Sequence, residues 1–202
     1  VLKPNRRETI GFKSENNNPS SLSSNYINCL YQDSTGAVWV GTNNGLDRFD
    51  RSLKKFSRMG KFNVLAMAKE HGNNVWLGTA KGLLLFDLKL RKVLHTYKHC
   101  PTDANSIKNN IITSIFPSGK KLYIGTDGGF CWLDLESQQF IPRAQAPSKP
   151  LYSTRVLTMQ RLSKSSLLIA TLGGGLFRFE ERTESATPFA NKTIITERIN
   201  AL

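Results

Sequence analysis

A four-residue pattern that returns three times restricts the fold more than any other feature of the chain. Trp39-Val40-Gly41-Thr42 recurs as Trp76-Leu77-Gly78-Thr79, as Tyr123-Ile124-Gly125-Thr126 and, weakened, as Leu168-Ile169-Ala170-Thr171, at intervals of 37 to 47 residues. A chain that repeats itself at such a period folds as an array of like units, each supplying one face to the next.

The surroundings repeat as well. After each Thr comes a glycine turn and an apolar run ending in an acid, at Asp50, Asp87, Asp134 and Glu180. Before each pattern lies another short apolar run: Ile27 to Leu30, Val64 to Met67, Ile112 to Ile115 and Val156 to Met159. A weaker fourth run follows the acid, around Phe56, Val93 to Thr96, Phe140 and Phe189. Short runs rich in Val, Ile, Leu and aromatics, punctuated by Gly, Asn, Ser and Lys, read as strands joined by tight turns. Four such strands per unit are the arithmetic of a β-propeller blade. The runs do not alternate between apolar and polar, as expected of sheets covered on both faces by neighbours.

The expected fold is therefore all-β, a β-propeller segment of four-stranded antiparallel blades. Residues 27–62, 63–110, 111–154 and 155–197 are read as whole blades. Residues 12–27 align without a gap on residues 97–112, so residues 1–26 read as the outer strand of a preceding blade and a linker; residues 198–202 read as the first strand of a following blade. An open arc leaves unpaired faces, which points to a longer receptor or to closure with a second copy. Gly45, Gly82, Gly128 and Gly175 are expected at positive φ in the hairpin after each Thr, and Gly41, Gly78, Gly125 and Ala170 are expected where sheets approach closely.

The unit running from Ile27 through Asp33-Ser34-Thr35-Gly36 and Trp39-Val40-Gly41-Thr42-Asn43-Asn44-Gly45 to Asp50, with Asn18 to Asn25 before it, resembles the two-component regulator propeller repeat. That resemblance implies part of the periplasmic sensor half of a hybrid two-component system, of the sort gut Bacteroidetes use to detect glycans. Family members usually carry two seven-bladed propellers, a further β-sandwich domain, a membrane helix, and cytoplasmic kinase and receiver domains. By resemblance, then, the chain belongs in the periplasm as part of an inner-membrane receptor, with an oligosaccharide as ligand. Its other partners would be the rest of the receptor or a second copy, and the membrane only through parts outside this chain.

Chemistry is harder to find than shape. Trp39, Trp76 and Tyr123 could stack on sugars, but an aromatic recurring once per blade reads as packing between blades; Trp132, off that register, is freer but still reads as packing. Asp33-Ser34-Thr35-Gly36 resembles the Asp-box of sialidase-like propellers with the acid one place too early, and reads as a turn whose carboxylate caps the backbone. Asp50, Asp87, Asp134 and Glu180 are turn acids in repeat phase, not a converging acid and base pair. His95, His99 and Cys100 sit on strand and loop, short of the four ligands of a structural zinc site. Cys29 reads as a small filler and the three cysteines lack CxxC spacing. The sequence thus points to no catalytic residue, metal or cofactor.

In a propeller the residue preceding each first strand lies on the face where ligands commonly bind. Those positions are Tyr26, Asn63, Ile111, Arg155 and Arg198, of which Tyr26, Asn63, Arg155 and Arg198 are candidate ligand contacts, since Arg grips carboxylated or sulfated sugars through paired N–H groups. Composition enters at this point. Lys and Arg number 28 against 15 Asp and Glu, a net charge of +13. That favours a polyanionic partner. The basic residues are scattered through turns, as in Lys54-Lys55, Arg91-Lys92 and Lys120-Lys121, without the aromatic-lined stripe nucleic-acid binding uses, so no nucleic acid is expected. The ligand class narrows to an anionic glycan. Alternatives are a propeller lyase or glycosidase, and a purely structural dimerisation scaffold.

Overall fold

The structure, a computed structural model, describes residues 10–141 and 149–189. Sixteen strands form four separate antiparallel sheets, each taking its strands in chain order. Blade 1 contains β1 (Ile27–Gln32), β2 (Val38–Thr42), β3 (Leu46–Asp50) and β4 (Lys55–Gly60). Blade 2 contains β5 (Val64–Lys69), β6 (Asn74–Thr79), β7 (Gly82–Asp87) and β8 (Lys92–Tyr97). Blade 3 contains β9 (Ile112–Ser118), β10 (Lys121–Thr126), β11 (Gly129–Asp134) and β12 (Gln139–Ile141). Blade 4 contains β13 (Val156–Ser163), β14 (Ser166–Thr171), β15 (Gly175–Glu180) and β16 (Ser185–Pro188). The inner strands adjoin in the order β1, β5, β9, β13. These are propeller blades.

Hydrophobic burial holds the array together at the seams between blades. One cluster joins blades 1 and 2 through Trp39, Leu46, Val64, Leu77 and Phe86. A second joins blades 2 and 3 through Trp76, Leu83, Ile112, Ile124 and Leu133. The third, between blades 3 and 4, is the most aromatic, with Tyr123, Phe130, Trp132, Phe177 and Phe179. The repeat aromatics Trp39, Trp76 and Tyr123 are buried, and so, completely, is Trp132. The second strand's small residue has a steric reason. A methyl group added at Gly41, Gly78 or Gly125 would lie 2.9, 2.8 or 2.5 Å from Val64, Ile112 or Val156 of the next blade. That is inside contact distance, so each glycine admits the first side chain of the following blade.

One device recurs in every blade and a second in the first three. A β-bulge interrupts the pairing at the start of each first strand, next to Ile27, Val64, Ile112 and Val156. In the turn between third and fourth strands, Asp50, Asp87 and Asp134 each accept backbone N–H bonds from the second and third residues after them. Four residues after each acid, Lys54, Arg91, Gln138 and Glu184 take the left-handed conformation. Asp33 caps as its position suggested: Oδ1 accepts from the Thr35 and Ala37 N–H groups and the Thr35 hydroxyl, and Oδ2 accepts from Trp39 Nε1 at 2.8 Å.

The structure departs from expectation in four places. Positive φ occurs at Gly82, Gly129 and Gly175 and not at Gly45 or Gly128; Gly45 is instead small because a Cβ would meet the Ser23 side chain. Phe189 lies one residue beyond β16, where Ala186 takes the buried place. A short helix, α1 (Lys149–Ser153), stands in the connector to blade 4 and seats Leu151 and Tyr152 in the third seam. Fourth, residues 10–26 contain no strand. Residues 1–9, which hold the rest of the expected outer strand, and residues 198–202 lie outside the described residues. The aligned contact is nevertheless reproduced: Phe12 meets Phe56 at 5.4 Å and 81°, and Tyr97 meets Phe140 at 5.5 Å and 78°.

Candidate functional site

One backbone bond per blade assembles the candidate face. The Tyr26, Asn63, Ile111 and Arg155 carbonyls accept the N–H groups of Asn43, Ala80, Asp127 and Leu172 respectively, at 2.8 to 3.1 Å. The residue before each first strand is thereby fixed beside the hairpin between second and third strands. The repeat Thr holds that hairpin from within: the Thr42, Thr79, Thr126 and Thr171 hydroxyls donate to the carbonyls of Gly45, Gly82, Gly129 and Gly175. This role was visible only as an invariant letter in the repeat.

On the face itself the blades differ. Tyr26 is 73% exposed. Asn28, the extra residue of the first bulge, donates through Nδ2 to Asn43 Oδ1 at 2.9 Å and to the Val64 carbonyl at 2.8 Å, pinning blade 1 to blade 2. Arg155 is half-exposed, with Nε 3.4 Å from Asp127 Oδ1 across the third seam. Such an accessible pair is worth little to stability and leaves the guanidinium within reach of a ligand. Arg198 lies outside the described residues. Of the three described candidates, Asn63 lines the cavity between blades 1 and 2 and Tyr26 and Arg155 do not.

That cavity measures about 320 Å³ and is lined by Asn43, Asn44, Lys61, Phe62, Asn63, Thr79 and Lys81. The sequence reading missed its lysines and the Asn43-Asn44 pair. The signal was the connector length: Lys61, Phe62 and Asn63 alone pass from β4 to β5, whereas residues 98–111 and 142–155 make the two later crossings.

The remaining polar candidates are occupied locally. The His99 ring shares a hydrogen bond with the Ile107 carbonyl, and His95 lies against Tyr97 at 4.3 Å. Among the described residues no group of three or more His, Cys, Asp or Glu is placed to hold a metal. Burial pushes the Cys29 thiol up to about 12 and the Cys131 thiol to about 11, which keeps both protonated and unreactive.

Residues 21–44 match the family described as two component regulator propeller. The structural likenesses agree with this fold. The extracellular domain described as part of a hybrid two component system from B. thetaiotaomicron superposes with a TM-score of 0.67 at 24% identity, over 84% of this chain and 25% of that one. A second such domain from the same organism gives 0.53 at 20% identity, over 88% and 28%. The computationally designed protein Ika4 gives 0.54 at 15% identity, over 86% of this chain and 99% of that one. The chain spans about a quarter of the length of the bacterial domains it resembles. Among curated proteins nothing matches. No helix among the described residues is long and apolar enough to cross a membrane.

Proposed function

We propose that this chain is a non-catalytic segment of an extracytoplasmic sensor, located in the periplasm as part of an inner-membrane hybrid two-component receptor. Its ligand is an oligosaccharide, and ligand binding biases a conformational equilibrium that controls a cytoplasmic histidine kinase and a transcriptional response. The observation that carries this reading is the regulator propeller match at residues 21–44, together with a face whose side chains vary while the cores beneath them repeat. Variation on a constant scaffold is how loops acquire recognition. Calorimetric titration with a panel of neutral and acidic oligosaccharides tests it. Binding by at least one class is expected, and silence across the panel removes the glycan reading.

A self-association or receptor-packing role is favoured by a separate observation, the apolar residues Ile27 and Leu30 on the side of blade 1 that no described residue covers. It is compatible with sensing, since a propeller segment can use one surface for assembly and another for ligand.

A further inference from the structure

The junction between blades 1 and 2 differs from the two that follow it. At the second junction the connector 98–111 drops Ile107 into the seam, fully buried, and its Asn110 carbonyl accepts the Gly82 N–H at 2.8 Å. At the third, Leu151 and Tyr152 of the connector are buried in the seam, and the Tyr152 backbone stands against Gly129. At the first junction the connector is too short to supply such a plug. Phe62 packs only against the deeper cluster, edge-on to Phe86 at 6.1 Å. The space that a connector occupies elsewhere is left here as the cavity of about 320 Å³.

Its lining is chemically one-sided. Asn43 and Asn44 come from the blade 1 hairpin, Thr79 and Lys81 from the blade 2 hairpin, and Lys61 and Asn63 from the connector. No carboxylate is among them. Lys61 and Lys81 are exposed, and neither belongs to an ion pair among the described residues. The Thr79 hydroxyl is committed to its hairpin, Asn43 Oδ1 to Asn28 and Asn44 Nδ2 to the Ser23 carbonyl, while Asn63 Oδ1 is buried among the described residues without a hydrogen-bond partner, so the lining combines two lysine ammonium groups with asparagine amides that can still donate and accept. The volume is at the small end of ordinary ligand clefts, suited to a terminal sugar ring rather than an extended chain. Two unneutralised cations, amides able to donate to and accept from ring hydroxyls, and the Phe62 ring suit a sugar that carries its own negative charge.

We infer that the cavity between blades 1 and 2 binds the anionic ring of a sulfated or carboxylated saccharide, with Lys61 and Lys81 neutralising the acid group and the asparagines contacting ring hydroxyls. This rests on the reading of the hairpin face as the ligand surface and names the ligand's chemistry there. It also gives part of the net charge a location.

Titration of the full chain with a sulfated disaccharide, a uronate-containing disaccharide, their neutral counterpart and inorganic sulfate tests it. One charge-assisted contact corresponds to roughly tenfold in affinity, so at least one acidic saccharide is expected to bind about tenfold or more tighter than the neutral one. Lys61→Gln and Lys81→Gln should each weaken that binding several-fold, while Lys89→Gln, which removes the same charge from the distant turn after Asp87, should not. Equal binding of neutral and acidic saccharides, or unchanged binding by the double lysine variant, overturns the cavity assignment while the glycan reading stands. Inorganic sulfate binding as tightly as the sulfated sugar reduces the cavity to a bare anion site and overturns the saccharide assignment. If no saccharide binds, the glycan reading falls with it.

Discussion

The free side of blade 1 and the buried sides of blades 2 to 4 are built from the same positions and meet opposite surroundings. Ile27 pairs with Thr42 as Val64, Ile112 and Val156 pair with their own threonines. Those three are completely buried, whereas Ile27 is 43% exposed, and Leu30, in the place of Met67, Ile115 and Met159, is 68% exposed. Polarity changes with exposure. Opposite Val40, where Leu84, Cys131 and Phe177 face the preceding blade elsewhere, stands Asp47. Its buried carboxylate accepts the Ser23 N–H at 2.7 Å and the Ser23 hydroxyl at 2.6 Å. The lead-in chain is thus fastened by hydrogen bonds to a carboxylate in addition to Leu22, which is buried against Val40 and Phe56 in the place that Ile107 takes in the aligned connector. The strand pattern does not by itself decide what is core; the neighbouring blade does.

That comparison can be broken at several points. The largest expected effect is at the aromatic third seam, where Trp132→Ala should cost about 3–5 kcal/mol in urea unfolding, the range for a deleted core aromatic. Ile112→Ala should cost about 2–5 kcal/mol. The matched change Ile27→Ala on the free side should stay within about 0.5 kcal/mol, as surface substitutions usually do. Equal losses at Ile112 and Ile27 would mean that the free side is covered in solution. Gly125→Ala places a methyl group 2.5 Å from Val156 and should cost about 1–3 kcal/mol by overpacking. Gly36→Ala tests a different constraint, a turn at φ 84° where an added Cβ would meet Gln32 Nε2 at an ordinary contact of 3.8 Å, and should lose only the smaller backbone term of about 1 kcal/mol.

The smallest expected effect depends on pH. Burial alone would raise the Asp33 carboxyl, but hydrogen bonds from the Thr35 and Trp39 side chains and the Ala37 and Thr35 N–H groups outweigh it and hold the carboxyl below the usual range. A lowered folded value means that the carboxylate's stabilising contribution is complete above about pH 3.9, the unfolded value, and is lost as pH falls through the lowered folded one. Asp33→Asn should therefore flatten the acid limb of a stability curve measured from pH 5 to 2, with no matching change above pH 5. A parallel shift at all pH values would show that the turn's shape, not its charge, matters.

Much of the fold was legible because its causes repeat residue by residue. Trp39, Trp76 and Tyr123 announced their burial by recurring in one register, and Gly41, Gly78 and Gly125 announced the close approach of the next blade. Features set by the path of a connector left no such trace. The helix α1 is a unique insertion with nothing to align against, whereas the left-handed glycine at 129 rather than 128 stands where Gly82 does, three residues after the repeat Thr. On the candidate face, position was readable and convergence was not: Tyr26, Asn63 and Arg155 were placed beside their hairpins by a repeating bond, while the cavity arises from residues that three connectors do not share.

Because the four sheets remain separate, no ladder of backbone bonds crosses any seam. Mechanically the array is a stack of stiff plates with sliding contacts, not one continuous spring. A small tilt between plates disturbs side-chain packing and a few pins such as Asn28, leaving every strand pairing intact. Strain applied at one seam can therefore be carried along the arc as a change of angle, with each blade moving whole.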